Sequence, residues 1–308
     1  MSGRILVTPR SITKEGHPAL AKLESAGFEW VSCAKGRQPT EEELLELLPG
    51  CVGYFAGVEP VSARVLQSAS DLKVISRNGV GVSSIDLGAA KRQGIRVLTT
   101  PGANARGVAE LTFAHMLALA RGLCFGDRSL KAGGWDREKG FELQDRQLGL
   151  VGCGAIGRIV SELAIAFGMR VRAYDLYPDP NFHPQGFDYA PLDEVLADSD
   201  VISFHCPPPA DGKPLVDEAF LAKVKPGALL VNTARGELLD ENAVLAALDS
   251  GQIFGLGLDA HRGEPPSDRS LLEHPRVLAT AHIGGFTTES VDRAVTGAVD
   301  NLLLALGE

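Results

Sequence analysis

Residues 147–175, QLGLVGCGAIGRIVSELAIAFGMRVRAYD, constrain the fold of this chain more than any other stretch. An apolar strand runs into the glycine turn at 152–157, a helix with one apolar face follows, and a second strand at 170–174 leads to Asp175. Two strands joined through a helix lie parallel in one sheet, because the crossover carries the chain back to the same starting edge. The stretch therefore predicts a parallel, doubly wound α/β sheet.

The three glycines of this turn have separate mechanical tasks. Gly152 makes the tight turn, Gly154 lets backbone amides approach a pyrophosphate, and Gly157 lets the helix pack closely on the strand. The helix N-terminus adds free N–H groups and the positive end of a dipole. A lone glycine motif is a weak signal, but its place between a strand and a helix strengthens it. The sequence therefore predicts a dinucleotide site that includes Gly152, Gly154, Ala155, Ile156, Gly157 and Arg158.

An acidic residue ends the second strand of this unit. Asp175 follows the glycines by about 20 residues, where a carboxylate accepts hydrogen bonds from both ribose hydroxyls. A 2′-phosphate would meet a like charge there, and Arg172 alternates away from that position. The sequence therefore favours NAD over NADP.

Composition excludes several classes of function. The 308 residues carry a net charge of −9, so we expect no general affinity for nucleic acid or anionic membranes. The five cysteines are scattered without a CxxC pair, which argues against a disulfide framework or a structural zinc site, and no metal site is expected. No apolar run approaches the roughly 18 residues of a membrane span, and no leader pattern opens the chain. We expect a cytoplasmic protein.

Two domains are expected from the order of elements. Strand and helix patterns alternate over residues 1–101, with strands at 5–7, 29–31, 52–55, 73–76 and 95–98. The second domain, residues 102–284, should hold six strands at 148–151, 170–174, 200–204, 228–231, 254–258 and 277–280. A last helix in residues 285–308 is expected to return to the first domain.

The segment between the two domain cores has two parts. The helix at 105–121 is apolar on most sides, so it packs between domains, between subunits or inside its own domain. The polar stretch 122–146 is expected to be an irregular, solvated connector.

Polar residues that directly follow predicted strands should meet at the carboxyl edge of the sheet, where ligands bind. Arg235 supplies two directed donors for a carboxylate or a carbonyl that becomes an alkoxide. His282, backed by Glu264, supplies a proton near neutral pH. Each residue alone has an ordinary structural explanation, but together they match hydride transfer to a 2-oxo acid. The full set is Asp175, His205, Arg235, Asp259, Glu264 and His282.

Four motifs in order resemble the D-isomer-specific 2-hydroxyacid dehydrogenase family: GCGAIGR at 152–158, NTARGELLD at 232–240, LDAHRGEPP at 258–266 and TAHIGG at 280–285. The chain is most similar to short D-3-phosphoglycerate dehydrogenases without a C-terminal regulatory domain. The resemblance implies a Rossmann-type NAD-binding domain, residues 102–284, and a flavodoxin-like substrate-binding domain, residues 1–101 and 285–308. It also implies a cleft between them and a homodimer formed through the helix at 105–121.

The resemblance assigns site residues by motif. The catalytic set falls on Arg235, Glu264 and His282, and the acid that binds the nicotinamide amide falls on Asp259. The remaining cofactor contacts are expected at Asp175, His205, Cys206, Pro207, Thr233, Ala234, His282 and Gly284. Substrate binding is expected at Arg77, Gly79, Val80, Gly81, Arg235 and His282, with Arg77 assigned to a substrate phosphate.

The substrate itself stays open at this point. Residues 81–86 read GVSSID and Asp259 is followed by Ala260 and His261, two departures from the family pattern near the expected site. His261 and Arg262 either line that site or, as we favour, face solvent. 3-Phosphoglycerate, glycerate, glyoxylate and sugar-acid derivatives all carry the required groups, and a glyoxylate/hydroxypyruvate reductase is the alternative enzyme. An NAD-binding corepressor-like sensor is the alternative outside enzymes.

Overall fold

The computed structural model describes residues 3–307, which form two compact units. The first unit contains the described residues up to Asn104 together with those from Thr288 onward, and the second spans Ala105–Thr287. Among residues 3–307, no single helix has the length and apolar character to cross a membrane. Ala105–Ala120 and Leu123–Lys131 reach that length only as a pair bent by 61°.

The first unit is a five-stranded parallel sheet with helices on both faces. Its strand order β2-β1-β3-β4-β5 is the flavodoxin-like order. The strands are β1 Arg4–Val7, β2 Glu29–Ser32, β3 Cys51–Ala56, β4 Val74–Arg77 and β5 Arg96–Leu98. The helices are α1 Arg10–Glu15, α2 Leu20–Ser25, α3 Glu41–Leu47, α4 Ala63–Ser68, α5 Leu87–Arg92 and the C-terminal helix Thr288–Gly307.

Alternation along β1 explains why both faces of this sheet are covered. Ile5 and Val7 point to the face covered by the C-terminal helix, where Leu302 is fully buried, and Leu6 points to the face covered by α3 to α5. Burying a leucine side chain of this kind stabilises the fold by roughly 1.5–3 kcal/mol. The C-terminal helix therefore belongs to the first sheet.

The second unit is a seven-stranded parallel sheet of order β12-β11-β10-β9-β6-β7-β8, the doubly wound Rossmann order with one added strand. Its strands are β6 Gln147–Val151, β7 Arg170–Tyr174, β8 Phe187–Tyr189, β9 Val201–Phe204, β10 Ala228–Asn232, β11 Ile253–Leu258 and β12 Val277–Ala279. Its helices are α6 Ala105–Ala120, α7 Leu123–Lys131, α8 Ala155–Ala166, α9 Leu192–Asp198, α10 Glu218–Leu221, α11 Glu241–Asp249 and α12 Ser270–Glu273, with a 3₁₀ turn at Gly236–Leu238.

The predicted α/β fold class is confirmed, with corrections of detail in the second unit. The sheet has seven strands and not six, because the three-residue edge strand β8 pairs with β7. The stretch 122–146 is not wholly irregular, since α7 occupies Leu123–Lys131. None of the residues of α7 is buried, and its apolar residues Leu123 and Leu130 are exposed, so the helix adds nothing to the core of the unit. Helix α6 packs on α8, β10 and β11, which agrees with the domain-internal alternative.

Candidate active site

The glycine turn between β6 and α8 is held by close backbone contacts. Gly152 has a φ of +97°, and a Cβ there would lie 2.6 Å from the carbonyl carbon and oxygen of His205. A Cβ on Gly157 would lie 2.5 Å from the oxygen of Gly152. Both positions exclude a side chain because real Cβ atoms do not approach other atoms so closely. The chain itself thus requires glycine at both ends of the turn.

Gly154 is different, because nothing in the chain requires glycine there. Its φ is −78°, and a Cβ would meet no atom within 4 Å. Gly154 caps the 12-residue helix α8 without a side chain, so the N–H groups of the first turn are left for a ligand. An open turn with free N–H donors fits a pyrophosphate.

Asp175 ties the glycine turn to the end of β7. Its Oδ2 accepts a hydrogen bond from the N–H of Cys153 at 2.6 Å, and its Oδ1 accepts one from the N–H of Tyr177 at 2.8 Å. Each oxygen has a further lone pair for a hydroxyl group. Arg172 points elsewhere and pairs with Asp198 at 2.5 Å. Since Arg172 is already paired, this site lacks that cation for a 2′-phosphate.

Arg158 and the loop after β9 complete the surroundings of the turn. The Nη1 of Arg158 lies 2.9 Å from the Oδ2 of Asp179, so part of its charge is already balanced. The Nε2 of His205 lies 2.9 Å from the Oγ of Ser203, while its Nδ1 is buried without a partner in the described chain. Burial lowers the pKa of His205 to about 3, so its imidazole is neutral at physiological pH.

Two further residues of this loop were expected near the cofactor. Burial raises the pKa of Cys206 to about 11, so its side chain is a neutral thiol packed against the core of the second unit. Pro207, next to it, is exposed. The loop thus presents an uncharged surface at the carboxyl edge of the sheet.

The loop after β10 is shaped by Asn232, which was not among the predicted site residues. Its Oδ1 accepts a hydrogen bond from the N–H of Ala234 at 3.0 Å, and its Nδ2 donates to the oxygen of Arg235 at 2.8 Å. Thr233 is anchored through its Oγ1 to Thr112 at 2.9 Å. The exposed guanidinium of Arg235 donates from Nη1 to the oxygen of Ala234 at 2.6 Å. An asparagine at a strand end is a recognisable turn former, so the sequence did contain this signal.

His282 and Glu264 form a direct pair. The Nδ1 of His282 lies 2.7 Å from the Oε1 of Glu264, and both side chains are nearly half exposed. His282 has a φ of +52°, in the left-handed region that non-glycine residues occupy rarely. Such a conformation persists where neighbouring contacts fix it, and it occurs preferentially at functional sites.

Asp259 supplies those contacts. The buried carboxylate accepts hydrogen bonds from the Oγ1 of Thr280 at 2.6 Å, the N–H of Ile283 at 2.8 Å and the N–H of Gly284 at 2.8 Å. These three donors flank His282 on both sides in the sequence. Asp259 therefore fixes the backbone that carries the histidine, whatever it contributes to a ligand.

His261 links Glu264 to the segment that precedes His282. Its N–H donates to the Oε1 of Glu264 at 3.2 Å, and its Nε2 lies 2.7 Å from the oxygen of Thr280. The favoured solvent-facing interpretation of His261 was therefore wrong, because the residue is half-buried and its ring bonds to the backbone of Thr280. Arg262 is exposed.

His115 on α6 extends this network into the core. It is 1% exposed, and its Nε2 lies 3.1 Å from the Oγ1 of Thr280, which in turn donates to Asp259. Burial lowers the pKa of His115. A single histidine on an apolar helix looks like an ordinary core residue, so the sequence carried no signal for it.

The expected substrate loop lies in the first unit, after β4. Gly79 has a φ of +130° and Val80 is 44% exposed. In the described chain, the N–H groups of Val80 and Gly81 have no hydrogen-bond partner, which leaves two adjacent donors for an anion. Arg77 is 8% exposed and donates from Nη1 to the oxygen of Asn78 at 2.9 Å.

The structure thus brings together some expected site residues directly. Glu264 and His282 are in contact, and Asp259 bonds to the segment around His282. Arg235 lies in a separate loop of the same unit, and its side chain bonds to the oxygen of Ala234 rather than to Glu264 or His282. Within residues 3–307, no three His, Cys, Asp or Glu side chains are arranged to hold a metal ion.

Comparison with known proteins identifies the family of the chain. Residues 113–284 match the model of the NAD-binding domain of D-isomer specific 2-hydroxyacid dehydrogenases. The chain belongs to the D-isomer-specific 2-hydroxyacid dehydrogenase family. It is an NAD-dependent oxidoreductase, and its second unit contains the NAD-binding domain.

Individual relatives cover most of the chain. It is 39% identical over 273 residues to a hydroxypyruvate reductase from Thermotoga maritima, covering 87% of this chain and 89% of the relative. It is 38% identical over 272 residues to D-3-phosphoglycerate dehydrogenase from Mycobacterium tuberculosis, covering 87% of this chain but 52% of that protein. The structure of the TT0316 protein from Thermus thermophilus superimposes with a TM-score of 0.88 at 38% identity, covering 99% and 97% of the two chains.

Proposed function

We propose that the protein interconverts a short (D)-2-hydroxy acid and its 2-oxo acid, with Arg235 and His282 acting on the reacting oxygen. The observation that carries this proposal is the 2.7 Å contact between His282 and Glu264, in the unit that also contains the glycine turn and Arg235. An imidazole oriented by a carboxylate is a suitable acid and base at neutral pH.

The proton is assigned to one nitrogen of His282. Since Glu264 accepts at Nδ1, that nitrogen carries a hydrogen, and Nε2 is left to exchange a proton with the substrate. In reduction, the protonated ring donates from Nε2 to the carbonyl oxygen as C2 becomes a secondary alcohol. In oxidation, the neutral Nε2 accepts the hydroxyl proton.

Arg235 is assigned to the substrate carbonyl and carboxylate. Its only side-chain hydrogen bond in residues 3–307 uses Nη1, so the other guanidinium donors are available. A guanidinium never loses its proton at physiological pH, and it polarises a carbonyl through directed hydrogen bonds. The free N–H groups of Val80 and Gly81 would bind the substrate carboxylate in the same way.

NAD, when bound, accepts or supplies the hydride. The first turn of α8 would hold its pyrophosphate, and Asp175 its adenosine ribose. His205, Cys206, Pro207, Thr233 and Ala234 would line the rest of the dinucleotide, with Asp259 and Gly284 near the nicotinamide. Because Asp175 would repel a 2′-phosphate, we propose NAD as the preferred form.

The substrate is proposed to be a three-carbon 2-oxo acid or a close relative. A hydroxypyruvate reductase and a phosphoglycerate dehydrogenase are both similar to this chain. The compounds in the names of these two relatives differ in the group on C3, which is a hydroxyl in hydroxypyruvate and a phosphate ester in 3-phosphoglycerate.

Assembly as a homodimer is also proposed. The expected contact helix α6 has most of its apolar residues buried, so we assign the contact to α7 and the residues after it. Leu123, Leu130 and Trp135 are 65%, 60% and 80% exposed, a large amount of apolar surface for one short segment. Light scattering of the purified protein measures this directly, and a monomer at micromolar concentration would contradict it.

The proposed activity is tested with a panel of 2-oxo acids. Purified protein is mixed with NADH or NADPH and glyoxylate, pyruvate or hydroxypyruvate, and absorbance at the nicotinamide band is followed. We expect reduction of at least one acid and a kcat/KM at least tenfold higher with NADH. Absence of turnover with every acid in either direction would refute the proposed function.

A further inference from the structure

A cluster of buried polar residues lies at the carboxyl edge of the first sheet, beside the proposed substrate loop. Thr8 follows β1, Glu59 lies three residues after β3, and Arg77 ends β4. Val7 pairs with Phe55, and Ala56 pairs with Arg77, so the three strands end side by side. We call Thr8, Tyr54, Glu59 and Arg77 the Glu59 cluster.

Glu59 is the centre of this cluster and is 1% exposed. Its Oε1 accepts hydrogen bonds from the hydroxyl of Thr8, from the hydroxyl of Tyr54 at 2.6 Å and from the N–H of Gly57 at 2.8 Å. Its Oε2 is equally buried but has no hydrogen-bond partner in the described chain. Buried carboxylate oxygens are normally satisfied, so an unpaired one indicates a site for a donor that is not part of the chain.

Arg77 shows the complementary feature. It is 8% exposed, its Nη1 donates to the oxygen of Asn78, and its Nε is buried without a partner in residues 3–307. Burial lowers the pKa of Arg77, and the nearby charge of Glu59 partly opposes that effect. No ion pair within 4.0 Å joins the two side chains in the described structure. An unpaired acceptor and an unpaired donor of opposite charge therefore stand close without direct contact.

The cluster holds the free oxygen of Glu59 rigidly. Burial and the charge of Glu59 raise the pKa of Tyr54 well above its ordinary value, so its hydroxyl remains a donor. A Cβ on Gly57 would lie 2.5 Å from the Oε2 of Glu59, so the backbone is shaped to fit this carboxylate. Three fixed donors on Oε1 leave Oε2 in one defined position.

We propose that Glu59 and Arg77 form a subsite for a hydroxyl group on C3 of the 2-oxo acid substrate. A hydroxyl donates one hydrogen bond and accepts others, so it satisfies Oε2 of Glu59 and a guanidinium N–H of Arg77 together. The inference rests on the proposed function, in which Val80 and Gly81, three and four residues beyond Arg77, bind the substrate carboxylate.

The same subsite excludes a phosphate ester. A phosphate carries a charge of about −1.5 to −2 at neutral pH and has no donor when fully ionised. It would leave Oε2 of Glu59 unsatisfied and bring like charges together in a buried place. The sequence assigned Arg77 to a substrate phosphate; we propose the hydroxyl subsite in its place, because the nearby carboxylate of Glu59 opposes an anion there. The cluster has one cation and one anion, which suits a neutral polar group.

The test compares three acids that differ only at C3: pyruvate, hydroxypyruvate and 3-phosphohydroxypyruvate. In the wild-type protein with NADH, kcat/KM for hydroxypyruvate should exceed that for each of the other two by at least about tenfold, the effect of one hydrogen bond to a charged group. In Glu59→Gln, the preference for hydroxypyruvate over pyruvate should fall by about tenfold or more. Relative turnover of the phosphorylated acid should rise, since a repelling charge is gone.

Glu15→Gln is the matched control, because Glu15 is an exposed carboxylate on α1 of the same unit. It should keep the wild-type ratios. A purely structural role of Glu59 would lower turnover of all three acids by the same factor, and that result would overturn the subsite. A preference of the wild-type protein for the phosphorylated acid would also overturn the subsite, and this measurement does not depend on whether a variant folds. Failure to reduce any of the three acids would instead refute the proposed function and the subsite with it.

Discussion

The two glycines Gly154 and Gly157 should respond to alanine in opposite ways. At Gly157 the new Cβ would lie 2.5 Å from the oxygen of Gly152, so one atom must move by about 0.9 Å to reach the ordinary contact distance of 3.4 Å. Overpacking of this size costs about 1–3 kcal/mol, which corresponds to a fall of roughly 2–12 °C in the Tm of a unit of this length. Gly157→Ala should therefore lower the Tm of the ligand-free protein.

Gly154→Ala should leave that Tm almost unchanged. The φ of −78° suits any residue, and the Cβ would meet no atom of the chain, so a shift within about 1 kcal/mol is expected. The methyl group would instead stand where the pyrophosphate approaches the backbone. We expect the Kd of NADH to rise at least tenfold, about 1.4 kcal/mol.

Differential scanning fluorimetry without ligand and titration of NADH fluorescence measure the two effects. Binding of NADH to Gly154→Ala with the wild-type Kd would refute the assignment of Gly154 to the pyrophosphate. Melting of Gly157→Ala at the wild-type temperature would refute the close contact between Gly157 and Gly152. The two variants serve as controls for each other, because they lie in one turn and introduce the same methyl group.

Two further predictions follow from buried ionisable groups. Burial raises the pKa of Cys206 to about 11, so little of its thiol is ionised at pH 8. When the native protein is treated with iodoacetamide, peptide mapping should show that the exposed Cys124 is modified first. Faster labelling of Cys206 would contradict this. Burial lowers the pKa of His205 to about 3, so between about pH 3 and pH 6.5 the unfolded chain binds a proton that the folded chain does not. The free energy of unfolding should therefore fall as the pH is lowered through this range, by up to ~1.4 kcal/mol per pH unit. His205→Gln should flatten this dependence in urea unfolding at pH 7 and pH 5, and an unchanged slope would contradict the assignment.

Long, regular elements of the fold could be predicted from the sequence because their apolar spacing is repeated several times. Both parallel sheets and the C-terminal helix fall in this class. Strand β8 has three residues, too few for an alternating pattern, and it forms because β7 offers a free edge. Helix α7 has no buried residue, so its stability comes from local contacts such as the Lys131 pair with Asp127 at 2.8 Å. Neither element has the repeated spacing of buried apolar residues by which the longer elements are predicted.

The glycine turn could be predicted for a related reason. Its function depends on residues that are neighbours in the chain, so spacing alone identifies it. The interactions of Glu59 and His115 depend on partners far away in the sequence. Thr8 lies 51 residues from Glu59, and Thr280 lies 165 residues from His115. Which distant side chains meet is decided by the sheet order, and a single sequence does not reveal those contacts.

The role of His282 as the proton donor is tested by removing its imidazole. The measurement is steady-state turnover of His282→Gln with a 2-oxo acid that the wild type reduces, together with the Kd of NADH for the same variant. We expect a fall in kcat of about a hundredfold to ten-thousandfold, the usual contribution of a general acid, with NADH still bound. Turnover within a few-fold of wild type, at unchanged NADH binding, would contradict the assignment of His282 as the proton donor.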